Sequence, residues 1–143
     1  MARLFLIDNH PAVRQGLQLL LQESHHTICG EAGSRAEALE QIGDSDADLV
    51  LLDLVLGAEN GLELIPAARQ LGISVLVYSM LEDAESISGA FAAGAAGYVT
   101  KCEPDEALLA AVTDLLSGKR HISPRAAQSL ANRTLSAGKN DQI

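Results

Sequence analysis

The chain has 143 residues and a hydrophobic fraction of 48%, enough to bury the core of a single domain without disulfides or structural metals. Its net charge of −9 provides no surface that neutralises phosphates, so we expect no nucleic acid to bind this segment directly. No stretch approaches the roughly 18 apolar residues of a membrane span, and the N-terminus lacks the apolar region of a signal peptide. Cys29 and Cys102 are too few for a disulfide framework. These features predict a cytoplasmic protein with reduced thiols and no membrane contact.

Apolar runs of strand length alternate with stretches of helical periodicity, a pattern typical of βα units around a parallel sheet. Strands are predicted at Arg3 to Ile7, Thr27 to Ala32, Leu49 to Leu52, Ser74 to Tyr78 and Gly97 to Thr100. The intervening helices are predicted to begin near Pro11, Arg35, Gly61, Asp83 and Pro104. Five βα repeats therefore predict an α/β fold with a five-stranded parallel sheet.

Several helix boundaries carry capping signals. Ser34 followed by Glu37 has the spacing of a capping box. Pro11 and Pro104 suit a first helical position, because proline has no N–H that would need a partner there. The alanine-rich stretch at 90–97 predicts a helix of small residues that ends at Gly94 or nearby.

The pattern changes after Gly118. Ser123-Pro124 is typical of an N-cap followed by the first helical residue, and an amphipathic stretch runs from Arg125 to about Leu135. Residues 136–143 have little to bury and are predicted to form a flexible tail. We therefore separate a domain at residues 1–118 from a linker helix and flexible tail at residues 119–143.

Polar side chains follow the apolar runs of the predicted strands. Asp53 closes the buried run Leu49 to Leu52, and the other members of the set are Asp8, Asn9, Ser79 and Lys101. Because ligands bind outside the carboxyl ends of parallel strands, we expect these groups on one rim of the sheet. Carboxylate and amide oxygens suit Mg²⁺, and an ammonium suits a phosphoryl oxygen. A carboxylate near both can accept a phosphoryl group, so the set predicts an aspartyl-phosphate site.

In this order and spacing, the motifs resemble the receiver domain of bacterial two-component response regulators, from Arg3 to about Gly118. They are Asp8-Asn9, Asp53, Ser79, and Tyr98 with Lys101. Three further segments resemble the NarL/FixJ group of transcriptional regulators: His10-Pro11, Gly97-Tyr98-Val99-Thr100-Lys101 and Ile122-Ser123-Pro124. The resemblance implies a flavodoxin-like, doubly wound (βα)5 sandwich with a receiver domain at 1–118.

The resemblance also implies a role for each motif residue. Asp53 would accept phosphate from the phosphohistidine of a sensor histidine kinase, and Lys101 would hold the phosphoryl group. Mg²⁺ would be held by Asp8, Asn9, Asp53 and the carbonyl of Val55. Ser79 would follow the phosphate inward and Tyr98 would turn into the vacated space, which moves the face formed by the fourth helix, fifth strand and fifth helix.

That face is where partners or a second receiver bind in the family, so we expect a homodimer on activation and a transcriptional output. The chain would not be an enzyme beyond promoting its own phosphorylation and dephosphorylation. A helix-turn-helix domain normally follows the receiver in the NarL/FixJ group. No second helical pair follows Leu135, so we expect DNA binding only if such a domain follows in the full protein.

Two positions depart from the family pattern, and two more bear on the loss of phosphate. Asn9 replaces the second acid, which predicts weaker Mg²⁺ binding than a two-acid site. Gly57 replaces the usual proline four residues after Asp53, which frees the following loop. Val55 and Leu81, at positions that tune loss of phosphate in the family, are apolar and cannot orient an attacking water, so we expect slow self-dephosphorylation.

Three other functions are alternatives to a phosphorylated receiver. A receiver that works without phosphate, as a docking or dimerisation domain, is favoured by Asn9. A phosphohydrolase with an aspartyl-phosphate intermediate would need a second acid two residues after Asp53, where Val55 stands. A flavin carrier would need a Ser/Thr/Gly-rich first loop, and residues 8–11 do not supply one.

Overall fold

The computed structural model describes the backbone of residues 2–141 and the side chains of residues 2–135. Eight strands are present in this part: β1 (Arg3–Ile7), β2 (Thr27–Ala32), β3 (Leu49–Leu52), β4 (Val55–Leu56), β5 (Glu59–Asn60), β6 (Ser74–Ser79), β7 (Gly97–Thr100) and β8 (His121–Ile122). The α-helices are α1 (Pro11–Glu23), α2 (Arg35–Gln41), α3 (Leu64–Gln70), α4 (Ala84–Ala93), α5 (Asp105–Leu116) and α6 (Pro124–Asp141). Within the described part, no helix combines the length and apolar character needed to cross a lipid bilayer.

Six strands form one parallel sheet in the order β2-β1-β3-β6-β7-β8, while β4 and β5 form a separate two-residue hairpin. Alternate residues of each central strand face opposite sides, as the period of a strand requires. On β1, Phe5 and Ile7 join the core cluster beneath α2, α3, α4 and α6, whereas Leu4 and Leu6 join the one beneath α1 and α5. Helices thus cover both faces, and the predicted doubly wound, flavodoxin-like α/β fold is confirmed.

Most predicted boundaries are confirmed. The Ser34 side chain accepts a hydrogen bond from the Glu37 amide at 3.2 Å, and Gly94 ends α4 in the left-handed conformation with φ +114°. The start of α3 was predicted too early, near Gly61. The Asn60 side chain accepts a hydrogen bond from the Leu62 amide at 2.8 Å. This bond stabilises a turn, so the helix begins only at Leu64.

The C-terminal segment adds a strand that the sequence pattern did not reveal. β8 has two residues in a polar stretch, too short for an alternating pattern, and it joins the sheet only because β7 lies beside it. α6 begins at Pro124 with Ser123 as its cap, as predicted, and continues beyond Leu135 to Asp141. The predicted flexible tail falls on residues whose side chains, and at 142–143 also the backbone, lie outside the described part. The division at residue 118 stays a prediction.

Candidate functional site

Strand pairing brings two carboxylates together at the carboxyl end of the sheet. β1 and β3 pair in parallel with Ile7 opposite Leu52, and the Asp53 amide donates to the Ile7 carbonyl at 2.9 Å. Asp8 and Asp53, the next residue on each strand, therefore lie side by side. Their exposed fractions are only 3% and 4%, so neither charge is well solvated. Two buried carboxylates this close need a compensating charge.

Lys101 supplies that charge. Its Nζ lies 2.6 Å from Asp8 Oδ2 and 2.8 Å from Asp53 Oδ2, and the Lys101 amide donates to the Ser79 carbonyl at 2.8 Å. Burial alone would lower the pKa of Lys101, but the hydrogen bonds and charges of Asp53 and Asp8 outweigh it and raise the pKa. The lysine therefore stays an ammonium that bridges both acids.

The remaining carboxylate oxygens are oriented by backbone amides. Asp53 Oδ1 accepts a hydrogen bond from the Val55 amide at 3.0 Å, and Asp8 Oδ1 accepts one from the His10 amide at 2.9 Å. Each acid thus directs one oxygen to Lys101 and the other towards the start of the next segment. Fixed in this way, the Asp53 carboxylate can act as a nucleophile whose charge is partly neutralised by Lys101.

His10 also reaches this site, which the sequence pattern did not indicate. Its Nδ1 lies 3.3 Å from Asp8 Oδ1, although 64% of the side chain is exposed. One ligand atom each from Asp8, His10 and Asp53 lie within 4.8 Å of one another, a separation suited to a metal ion. The position of His10, two residues after Asp8 and directly before a helix, is the only feature of the sequence that indicates this contact.

The donor set fits a hard divalent cation. Asp8 and Asp53 offer carboxylate oxygens, and Asn9 Oδ1 is buried with no hydrogen-bond partner among the described residues. A buried amide oxygen without a partner is costly, and coordination of a cation or its water would satisfy it. The Asn9 position is therefore compatible with Mg²⁺ even though the second acid is missing.

Ser79 and Tyr98 are joined through one residue, Leu81. The Ser79 hydroxyl accepts a hydrogen bond from the Leu81 amide at 3.2 Å, and the Tyr98 hydroxyl donates to the Leu81 carbonyl at 2.7 Å. Both Ser79 and Tyr98 have an exposed fraction of 0%. Burial raises the pKa of Tyr98 well above its ordinary value, and the Asp83 charge adds to the effect. Tyr98 is thus a neutral donor turned into the protein.

Comparison with known proteins identifies the family of the chain. The response regulator receiver domain family matches residues 4–113 of the chain. The nitrate/nitrite response regulator protein NarL of Escherichia coli strain K12 is 34% identical over 125 residues, which cover 85% of this chain and 58% of NarL. The DNA-binding transcriptional activator DevR/DosR of Mycobacterium tuberculosis is 35% identical over 133 residues, which cover 91% of this chain and 61% of that protein. The chain spans about three fifths of the length of these curated relatives.

A solved structure supports the same relationship across nearly the whole chain. The crystal structure of a two-component response regulator of the LuxR family from Aurantimonas sp. SI85-9A1 superposes with a TM-score of 0.89 at 33% identity. The superposition covers 94% of this chain and 99% of that one. The relatives are NarL/LuxR-family response regulators, as the motifs predicted. The chain therefore belongs to the response regulator receiver domain family of two-component systems.

Proposed function

We propose that the chain is the phosphoacceptor module of a two-component phosphorelay, with Asp53 as the acceptor. The observation that carries the proposal is the partly buried ammonium of Lys101, which contacts both Asp8 and Asp53 at the carboxyl end of the sheet. In the proposed transfer an Asp53 carboxylate oxygen attacks phosphorus. The P–N bond of the kinase phosphohistidine breaks, and the imidazole leaves with the electron pair.

Lys101 serves both states of this reaction. Before transfer its single positive charge offsets one of the two negative charges of Asp8 and Asp53. Afterwards, with Asp53 converted to an acyl phosphate, the Lys101 Nζ is free to bind a phosphoryl oxygen through a charge-assisted hydrogen bond. The Lys101 ammonium therefore keeps an anionic partner when the Asp53 carboxylate is replaced by the phosphoryl group. It never becomes an unpaired charge inside the protein, which would cost several kcal/mol.

The cation of this site is proposed to be Mg²⁺, held by Asp8, Asn9, Asp53 and the Val55 carbonyl. Bound there, it would neutralise part of the negative charge of the carboxylates and of the incoming phosphoryl group. Asp8, Asn9 and Asp53 would supply side-chain oxygens to the cation, and Asp53 would also supply the attacking oxygen. Because Asn9 is uncharged, this site has one negative charge fewer than a two-acid site, and we expect it to bind Mg²⁺ more weakly.

Ser79 and Tyr98 are proposed to convert phosphorylation into a change of shape. A phosphoryl group on Asp53 attracts the Ser79 hydroxyl, which now accepts from the Leu81 amide. Movement of Ser79 displaces Leu81, whose carbonyl holds the Tyr98 hydroxyl. The equilibrium is two-state, and shifting it from about 1:99 to about 99:1 requires about 5.5 kcal/mol of differential interaction.

The proposed partners follow from the family. A sensor histidine kinase would supply the phosphoryl group, and the face formed by α4, β7 and α5 would control dimerisation or a transcriptional output. NarL is a response regulator and DevR/DosR a DNA-binding activator. DNA binding by the protein that contains this chain would require a further domain, because the receiver itself has an acidic charge balance.

The test is phosphorylation by acetyl phosphate in the presence of Mg²⁺, followed by intact-mass and peptide mass spectrometry. The expected result is one added phosphoryl group on the peptide that contains Asp53, absent in Asp53→Asn. Lys101→Met is expected to accept far less phosphate, because the ammonium that would bind the phosphoryl oxygen is gone. Equal labelling of Asp53→Asn would overturn the assignment of the acceptor.

A second candidate function is a docking or dimerisation receiver that does not depend on phosphate. The missing acid at Asn9 favours it, because a weak cation site weakens phosphoryl transfer. Beryllofluoride, which imitates a phosphoryl group on an aspartate, separates the two candidates. A change in sedimentation or amide exchange supports the switch, whereas no response at saturating Mg²⁺ and beryllofluoride supports the docking receiver.

A further inference from the structure

The C-terminal part of the described chain covers the edge of the sheet at β7. β8 pairs with β7 in parallel, with Ile122 opposite Tyr98. The Ser123 amide donates to the Tyr98 carbonyl at 3.0 Å, and the His121 amide donates to the Ala96 carbonyl at 3.1 Å. An open edge strand offers its backbone groups to other chains, and here several of those groups are already used within the molecule.

The first turns of α6 extend this cover over α4. α6 packs against α4 and β7, and Ala126 is completely buried in the same core cluster as Tyr98 and Ile87. Leu130, one turn further along α6, packs against that cluster. The side of the receiver on which a dimer partner is proposed to bind is therefore partly occupied by the chain itself.

A charged contact holds the start of α6 in place. The Arg125 guanidinium binds Glu82 through two parallel hydrogen bonds, Nε to Oε2 at 2.6 Å and Nη2 to Oε1 at 2.8 Å. The hydrogen bond from Arg125 lowers the pKa of Glu82 to about 2, so the pair stays ionised at neutral pH. The Arg125 amide also donates to Glu103 Oε2 at 3.3 Å, while Glu103 Oε1 accepts from the Thr100 amide at 3.0 Å.

Both acids lie on loops that carry residues of the proposed switch. Glu82 directly follows Leu81, the residue that joins Ser79 to Tyr98. Glu103 lies two residues after Lys101. A displacement of Leu81 therefore moves Glu82 relative to Arg125. A small movement weakens both hydrogen bonds of this pair, because the guanidinium and the carboxylate must stay in one plane to form them together.

We propose that Arg125, bound by Glu82 and Glu103, is a latch that keeps β8 and the start of α6 over the β7 edge, and that phosphorylation opens it. With the latch closed, this segment occupies part of the surface that a second copy of the chain would need. With it open, the β7 edge and the α4 surface beneath α6 become accessible. Only the opening step rests on the proposed phosphoacceptor function.

The closed latch is tested by hydrogen exchange of the His121 and Ser123 amides in the unphosphorylated chain. Arg125→Ala should speed their exchange by about two- to fivefold, the effect of losing an exposed ion pair that holds a local segment. Arg133→Ala removes an exposed arginine further along the same helix and serves as the matched control, with no expected change. Equal exchange in Arg125→Ala and the wild-type chain would overturn the latch.

Charge reversal separates the ion pair from a general loss of packing. Glu82→Arg and Arg125→Glu should each speed exchange of these two amides, and the double variant should restore it to within about twofold, because the pair is rebuilt with opposite polarity. A double variant that exchanges as fast as the faster single variant would contradict a specific contact between Glu82 and Arg125.

Beryllofluoride with Mg²⁺ then tests the opening step. It should speed exchange of the Ser123 amide by about two- to fivefold in the wild-type chain, but not in Asp53→Asn, and have a smaller effect in Arg125→Ala. A response at residues 79–84 without one at Ser123 would show that the switch does not reach the latch. A chain that responds nowhere would contradict the phosphoacceptor function and the opening step, while the closed latch would still be judged by the Arg125 variants.

Discussion

The hydroxyl of Tyr98 donates a hydrogen bond to the carbonyl of Leu81 at 2.7 Å, and so ties β7 to the loop that follows β6. Because the Leu81 amide donates to the Ser79 side chain, the buried tyrosine and the buried serine are linked through one peptide segment. The same loop continues into Glu82, which binds Arg125 of α6. Contacts therefore run without interruption from the Ser79 side chain to the C-terminal helix.

Loss of the Tyr98 hydroxyl should lower the stability of the chain. Tyr98→Phe keeps the ring but removes the hydroxyl, so the Leu81 carbonyl loses its partner and the free energy of unfolding should fall by about 1 kcal/mol. Urea unfolding measures the change. Tyr78→Phe is the matched control, because the Tyr78 ring lies 5.9 Å from Lys101 Nζ and no hydrogen bond from its hydroxyl is found among the described residues. Equal losses in both variants would contradict a specific role of the Tyr98 hydroxyl.

Ionisation of Tyr78 and Tyr98 should lower the stability of the folded chain at alkaline pH. Burial raises the pKa of Tyr78 and of Tyr98 above the ordinary value of 10.0, so each ionises more readily in the unfolded chain. Their contribution is complete below pH 10.0 and is lost as pH rises towards the folded pKa values. Urea midpoints should therefore fall above that pH, and less steeply in Tyr98→Phe. Tyrosinate absorbance that develops near pH 10 in a chain that remains folded would disagree with this burial.

Restoring the second acid should strengthen the cation site. Asn9→Asp adds a charge beside Asp8 and Asp53, and we expect the Kd for Mg²⁺ to fall on the order of tenfold, which corresponds to about 1.4 kcal/mol. Isothermal calorimetry measures the affinity. Asn132→Asp, which adds the same charge at an exposed position on α6, controls for net charge. Identical affinities in Asn9→Asp and the wild-type chain would mean that Asn9 does not belong to the site.

Loss of phosphate should be slow. Val55 is 39% exposed beside Asp53, and neither its side chain nor that of Leu81 can hold an attacking water. We expect a phosphorylated chain that persists for minutes or longer, and Val55→Asn should shorten its lifetime by roughly an order of magnitude, because an amide can orient water. Leu71→Asn makes a comparable change at an exposed site after α3. A wild-type half-life of seconds would refute the prediction.

The close approach of β8 should make one glycine indispensable. A methyl group on Gly97 would lie 2.9 Å from side-chain atoms of Leu115 and Leu76 and 3.0 Å from the His121 carbonyl. Gly97→Ala should therefore cost about 1–3 kcal/mol of unfolding free energy. Gly16→Ala, in α1, meets no atom within 4 Å and should stabilise the chain by about 0.5–1 kcal/mol. A neutral Gly97→Ala would show that Leu76, Leu115 and β8 can all move away at little cost.

The order of the βα units, most helix boundaries and the residues of the candidate site can be predicted from the sequence. Hydrophobic runs must become buried strands, and capping residues act locally, so both can be read from neighbouring positions. The same holds for Asp8, Asp53 and Lys101, because the carboxyl ends of parallel strands meet on one rim whatever the details of packing. Their pattern therefore indicates the receiver fold without reference to any tertiary contact.

The packing of the C-terminal segment against the sheet is visible only in the three-dimensional structure. β8 is too short to show a period, and it becomes a strand only where β7 offers a free edge. The pairing of Arg125 with Glu82 joins residues 43 positions apart. Such contacts depend on where distant segments meet in space, and local patterns of hydrophobicity carry no information about that distance.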